Sequence, residues 1–229
     1  KGQKTSLVLG GTVLIRVDPQ NPKESMIKAA SGMASMGELI IFPTDTIYGI
    51  GTSSYSQAGV MRLFASKKRS QTKPLGVFMS GIGQLVEHCV ISEAQERFLS
   101  SIWPGPVTCV FLRQPKSRML TTPLKTQPPT VAVRIPDNLV CKMLVGLLGH
   151  PLLQTSVNIS GLPHGSHNEL LYYYERFADA MIDGGPEKES LPSTVISLAG
   201  PDAKLVREGS VSWESLKSKL LEFGIGSAD

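Results

Sequence analysis

Apolar residues at Met26, Ile27, Ala30 and Met33 recur at helical spacing, and the run that follows, "ELIIF" at 38–42, is short and continuous, as a buried strand requires. This pair predicts a helix over 23–36 and then a strand. The alternation continues with a helix over 57–66 through Val60, Leu63 and Phe64, a strand over 75–79, and a helix from Ser92, where "SEAQ" supplies a capping box from Ser92 and Gln95. "VTCVFL" (107–112) and "TVAVRI" (130–135) read as strands joined by a connection containing Pro115, Pro123, Pro128 and Pro129. Beyond them come an apolar helix over 138–148 ended by Gly149, a strand over 152–155, a helix over 169–177, strands over 180–182, 194–198 and 204–207, and a last helix from Ser212. Such alternation predicts an α/β fold: a twisted, open, mixed sheet flanked by helices in a single domain. Residues 1–21 are expected as an extended lead-in with a strand at 12–16, residues 22–215 as the main domain, and residues 216–229 as a C-terminal helix and tail. Ligands of such sheets tend to sit where strands end, so the segments after strands are the place to look for chemistry.

Composition narrows the class. A chain of 229 residues, 41% hydrophobic and 18% charged, has a globular balance and no run approaching a membrane span, so no membrane partner is expected. Cys89, Cys109 and Cys141 are widely spaced without a CxxC pair, which argues against a disulfide framework and fits a reducing compartment. A cytoplasmic location is expected, or an organelle if a targeting segment preceded Lys1 and was removed. Charge is uneven along the chain. Residues 46–168 carry twelve Lys and Arg against four acidic residues, a local net of +8, whereas residues 169–229 carry a net of −5. A basic middle segment suits a cleft for phosphates or nucleic acid; a basic surface without a ligand is the alternative.

Four segments concentrate candidate chemistry. "FPTDTIYGIGT" (42–52) follows the first apolar strand with Thr44, Thr46 and a Gly-x-Gly pair that would let backbone approach a ligand. "KKRSQTKPL" (67–75) sets Lys67, Lys68, Arg69 and Lys73 where a polyphosphate could be gripped, though a solvated loop explains four charges equally well. "LLQTSVNISG" (152–161) would present Ser156, Asn158 and Ser160 on one side of an extended chain, and "LPSTVISL" (191–198) adds Ser193 and Thr194 at a strand mouth. Arg134, flanked by Val and Ile in a strand, needs a partner if buried, and a substrate carboxylate is a candidate. The chain lacks the Walker A, GxGxxG, GxSxG and HExxH patterns. His164 and His167 make no strong metal signature, Trp103 is expected in the core, and Tyr172–Tyr174 are expected to pack a helix.

Taken together and in order, "FPTDTIYGIG", "KKRSQTKPL", "WPGPVT", "VAVRIP", "TSVNISG", "PSTVISL" and "LVREG" resemble the successive motifs of the YrdC-like family of threonylcarbamoyl-AMP synthases, over about residues 22–209. The resemblance implies a YrdC-like/RibB-like open α/β fold and a nucleotidyl transfer. L-threonine, bicarbonate and ATP would give threonylcarbamoyl-adenylate and pyrophosphate, with Mg²⁺ carried by the ATP phosphates and no metal site on the protein. A separate transferase would pass the product to the tRNA adenosine beside the anticodon, with tRNA or double-stranded RNA as a further contact. By position, the resemblance implies threonine contacts from Thr46, Arg134, Ser156 and Ser193. It implies nucleotide contacts from Lys67, Arg69, Lys73, Thr130, Asn158, Ser160, Ser166 and Arg207, with Lys67, Arg69, Ser156 and Asn158 as the catalytic set. Two departures stand out: Val157 where the family usually has Ala, adding bulk beside the substrate groups, and Phe78 where some members carry a polar residue. "RVDPQNP" and "LVREG" are similar to the YciO-like branch, yet Lys67, Arg69, Ser156, Asn158 and Ser160, which that branch lacks, are present. The alternative functions are a divergent YciO-like or non-catalytic protein that binds RNA or nucleotide through its basic face, and a carbamoyl transfer to another acceptor.

Overall fold

A computed structural model describes residues 6–9, 12–157, 167–186 and 191–228. In chain order the elements are β1 (Ser6–Leu9), β2 (Thr12–Arg16), α1 (Glu24–Ser35), β3 (Ile40–Phe42), β4 (Gly49–Ser53), α2 (Gln57–Ser66), β5 (Gly76–Phe78), α3 (Ile82–His88), β6 (Cys89–Val90) and α4 (Glu93–Ile102). They continue with β7 (Val107–Arg113), β8 (Thr130–Arg134), α5 (Leu139–Leu148), β9 (Leu152–Ser156), α6 (His167–Arg176), β10 (Ala180–Asp183), β11 (Thr194–Ser197), β12 (Ala203–Arg207), α7 (Trp213–Glu222) and β13 (Ser227–Ala228).

All the strands join one sheet in the order β1-β2-β10-β3-β4-β9-β5-β8-β7-β11-β12-β13, with β6 beside β7. Parallel pairs such as β2 with β10 and β5 with β8 alternate with antiparallel pairs such as β4 with β9 and β7 with β8, so the sheet is mixed and open, as expected. The start of α4 carries the capping box anticipated for it. Ser92 Oγ accepts from the Gln95 N–H at 3.2 Å while Gln95 Oε1 accepts from the Ser92 N–H at 3.0 Å. Asn138 caps α5 through the Cys141 N–H at 3.0 Å, and α5 ends at Gly149 with φ 74°. Each such N-cap contributes about 1 kcal/mol.

The strand β3 is buried on both sides, which is why its sequence is continuously apolar. Ile40 and Phe42 pack with Ile27, Ala30 and Ala34 of α1 and with Val140 and Leu144 of α5. Leu39 and Ile41 belong to the larger core on the opposite face, with Leu63 of α2, Phe98 of α4 and Leu216 of α7. The strand β4 and the short elements α3 and β6 were not expected. The Gly-x-Gly pair lies inside β4 and serves packing rather than ligand approach: a Cβ on Gly49 would lie 2.9 Å from Phe42 Cε2, and one on Gly51 would lie 2.5 Å from Leu153 O and 3.3 Å from Phe42 Cε1. The expected boundaries at 21 and 215 also change meaning. β2 is hydrogen-bonded to β10 in the sheet, and Trp213, Leu216 and Leu220 of α7 lie in the core, so neither end is an appendage.

The helices α1 and α5 cover only part of their face of the sheet. On that same face, Thr108 and Val110 of β7, Ala132 of β8 and Val195 of β11 are half-buried, while their neighbours Cys109, Val133 and Ile196 are fully buried on the other side. This uncovered stretch becomes the floor of a cleft.

Candidate active site

The cleft has a volume of about 390 Å³ and is lined by residues of six strands, among them Phe78, Thr108, Arg134, Ser156, Val195 and Arg207, with Thr46 at one rim. The chemistry therefore lies on the open sheet face as well as at strand ends, where the sequence had placed it. A second groove of about 810 Å³, lined by Lys67, Lys68, Lys73, Tyr172, Tyr173 and Phe177, adjoins the first. Arg69, Thr155, Ser156 and Arg207 line both.

Arg134 is 4% exposed. Its Nε donates to Gly105 O at 3.1 Å, its Nη1 to Thr46 Oγ1 at 3.1 Å, and its Nη2 pairs with the Asp45 carboxylate. The guanidinium also lies 5.6 Å from the centroid of the Phe78 ring. Burial lowers the Arg134 pKa while Asp45 opposes that fall; a guanidinium stays charged regardless. The sequence allowed a substrate carboxylate as the partner of Arg134, whereas the fold supplies Asp45. Among the described residues that leaves two of the five guanidinium N–H groups uncommitted. The loop holding Asp45 is fixed by Thr44, whose Oγ1 accepts from the Thr46 N–H at 3.0 Å and donates to Ile47 O at 2.8 Å.

Lys67 is held differently. It is the residue at which α2 stops, and its half-buried side chain donates from Nζ to Ser156 O at 3.1 Å and to Tyr173 Oη at 3.0 Å. Burial lowers its pKa to about 8, with Glu169 acting against the fall and Arg69 adding to it. After it, Lys68 takes φ 47°, and Arg69 bonds the carbonyls of Lys73 and Pro74 at 2.8 and 3.0 Å, closing the basic loop on itself.

The far wall joins two more motifs. Ser193 Oγ lies 2.9 Å from Thr108 Oγ1, and Arg207 Nη2 donates to Ser193 O at 2.8 Å. Thr194 Oγ1 accepts from the N–H groups of Gly209 and Val211 at 3.0 and 3.1 Å. Gly209 approaches so closely that a Cβ there would lie 2.7 Å from the Ser193 carbonyl carbon, which excludes a side chain.

Thr46, Arg134, Ser156 and Ser193 thus share the first cleft, and Lys67, Arg69, Lys73 and Arg207 share the groove beside it. Thr130 shares a face of β8 with Ala132 and Arg134 but lines neither space. Asn158, Ser160 and Ser166 lie outside the described residues. Val157 lies in the core rather than in the cleft, donating its N–H to Tyr48 O at 2.9 Å, so its extra bulk does not enter the cleft. Phe78 does line the cleft, edge-on to Phe42. Trp103 is in the core, as expected. Sequence reasoning missed Asp45, Thr108, Gln154 and Tyr173. A need for an anion beside Arg134 pointed toward Asp45; nothing in the local sequence marked Tyr173, which had been assigned to helix packing alone. Among the described residues, no three His, Cys, Asp or Glu side chains gather as a metal-binding group, and no helix is long and apolar enough to cross a membrane.

An open mixed sheet with a basic cleft on its uncovered face defines the class. The sequence profile of the Sua5/YciO/YrdC family, described as telomere recombination, matches residues 33–209, and the chain belongs to this family. It is 32% identical over 220 residues to the threonylcarbamoyl-AMP synthase of Pyrococcus abyssi, covering 95% of this chain and 63% of that protein. It is 30% identical over 205 residues to the threonylcarbamoyl-AMP synthase of Bos taurus, covering 87% of this chain and 73% of that one. The crystal structure of P. abyssi Sua5 complexed with L-threonine superposes with a TM-score of 0.83 at 30% identity, over 95% of this chain and 63% of that chain. E. coli YciO has the same fold, with a TM-score of 0.77 at 23% identity over 88% of this chain and 97% of that one. The chain thus spans less than two thirds of the length of its P. abyssi relative.

Proposed function

We propose that this protein is a nucleotidyltransferase that forms threonylcarbamoyl-AMP and pyrophosphate from L-threonine, bicarbonate and ATP. The observation that carries the proposal is the pairing of two spaces. A small cleft holds a buried arginine with two N–H groups to spare, and it opens beside a larger basic groove through the shared residues Arg69, Ser156 and Arg207. The relatives' names and the threonine complex of one of them support the substrate assignment.

In this scheme the threonine carboxylate binds the remaining Arg134 N–H groups as a planar fork, with Thr46, Ser156 and Ser193 around it. The threonine nitrogen adds to the carbon of bicarbonate and water leaves, giving the N-carboxylate. A carboxylate oxygen of that carbamate then bonds to the α-phosphorus of ATP as the bond to pyrophosphate breaks. Lys67, Arg69, Lys73 and Arg207 bind the phosphates and stabilise charge developing on the leaving group, so positioning and electrostatics supply most of the rate. The Lys67 bond to the Ser156 carbonyl ties the phosphate side to the threonine side. ATP would bring Mg²⁺ with it. The described lining of both spaces contributes no carboxylate, so phosphate oxygens and water would hold the ion. Asn158, Ser160 and Ser166 complete the nucleotide contacts in this proposal, with Thr130 near its far end. The mixed anhydride product requires a downstream transferase, and tRNA is its destination.

The deciding experiment measures pyrophosphate release from ATP and bicarbonate with L-threonine, L-serine or no amino acid. Threonine-dependent release is expected. Release that ignores the amino acid, or none from folded protein that binds RNA with a steep salt dependence, would overturn the proposal in favour of a binding protein.

A further inference from the structure

Tyr173 lies outside the motifs that mark the site, yet it touches the proposed phosphate-binding lysine twice. Lys67 Nζ donates to its Oη at 3.0 Å and lies 4.7 Å from its ring centroid. Tyr173 is 5% exposed, with Tyr172 and Phe177 each 5.5 Å away between ring centroids, so its ring cannot swing aside without repacking. Glu169, buried one turn earlier on α6, adds an attractive charge toward Lys67.

We propose that Tyr173 is a positioning residue for Lys67, fixing the ammonium where the cleft meets the groove by accepting one of its N–H bonds and facing its charge with the aromatic ring. The proposal rests on the nucleotide function given above for the Lys67 site. An ammonium can only donate, so Tyr173 Oη accepts, and both contacts favour the charged lysine over the neutral one. Ser156 O also accepts from the ammonium and Glu169 on α6 attracts it, while burial and Arg69 oppose its charge, and Lys68 and Lys73 from its own loop and Arg207 from β12 share the groove. Burial already brings Lys67 to about 8, and loss of an acceptor for its ammonium would lower it further.

Tyr173→Phe keeps the ring and removes the acceptor; Tyr173→Leu removes both. The direct readout is the pH dependence of Lys67 acylation by an amine-directed reagent, followed by peptide mass spectrometry on the full chain without substrates. In Tyr173→Phe the midpoint should fall by about one pH unit, and further in Tyr173→Leu. The alkaline limb of kcat/KM for ATP should move with it, giving about a tenfold loss at pH 8.5 and less than about twofold at pH 6.5. A side chain that only packs the helix would lower Tm and scale activity equally at every pH. An unmoved acylation midpoint in Tyr173→Phe, whatever happens to stability, overturns the assignment. If the unaltered protein releases no pyrophosphate, the functional proposal fails, while the acylation midpoint still decides the role of Tyr173.

Discussion

Arg134 and Lys67 both bring a cation to the joined spaces, but Arg134 is 4% exposed and held by a carboxylate, a hydroxyl and a carbonyl, whereas half-buried Lys67 has a carbonyl and a phenol as hydrogen-bond partners. The arginine arrives with its charge balanced by the adjacent Asp45 and its orientation fixed from three directions. Such a group suits a ligand whose geometry must be read, because the planar fork is already aimed before binding. Lys67 shares the groove with other cations, and its hydrogen-bond partners among the described residues, Ser156 O and Tyr173 Oη, are neutral. An incoming polyanion there meets several cations at once, which suits strong but less directional binding. One corner is built for selection and the other for attraction.

Substitutions should separate the two. Arg134→Ala is expected to lower threonine-dependent kcat/KM by about a thousandfold, since stripping one partner from a buried charge pair costs about 2–5 kcal/mol, while ATP affinity by calorimetry stays within about threefold. Equal losses for both substrates would dissolve the distinction. Lys67→Ala should do the reverse, raising KM for ATP by about 10- to 100-fold with little effect on threonine, as expected for a lost charge-assisted hydrogen bond. Asp45→Asn removes the counter-charge and preserves shape; about a tenfold rise in KM for threonine is expected, with KM for ATP unchanged. A neutral outcome for both substrates would mean that Thr46 and Gly105 suffice to aim the guanidinium.

The smallest effect is on stability at acid pH and arises far from both corners. His150 Nε2 lies 2.6 Å from Ser53 Oγ and His88 Nε2 lies 3.2 Å from Tyr55 Oη, at the opposite end of β4 from the cleft. Burial lowers the pKa of both histidines. The unfolded chain therefore takes up their protons first, and the stability they contribute is present above pH 6.5 and lost as pH falls through their lower folded values. Denaturation midpoints from pH 7 to 5 should decline, and His150→Gln should flatten the decline. A full decline in His150→Gln would assign it to His88 or to carboxylates instead.

Most elements were legible because their signals are local. The α2 residues 57–66 and the capping box at Ser92 need only a few neighbours in sequence, and both are found where expected. The strand β4 was obscured because its glycines make room for Phe42, a partner across the sheet; α3 contains Gly83 and begins after Gly81, so it offers little helical periodicity. The site divides along the same line. Hydroxyl and basic motifs stood out one by one, whereas the Arg134 contacts with Thr46 and Asp45 span 88 and 89 residues, and the Lys67 contact with Tyr173 spans 106. Strand order creates those meetings, and no local spacing encodes it.

The strand β9 lies between β4 and β5 and is antiparallel to both, so it is the seam between two parts of the sheet. Every strand from β3 to β8 is synthesised before it. A nascent chain on the ribosome must therefore carry β4 and β5 as unpaired edges until residues 152–156 emerge, and such edges invite wrong pairings. The strand that closes the seam is also the one that brings Ser156 to the junction of the two spaces, so that junction forms before β10 to β13 complete the sheet and supply the far wall of the cleft.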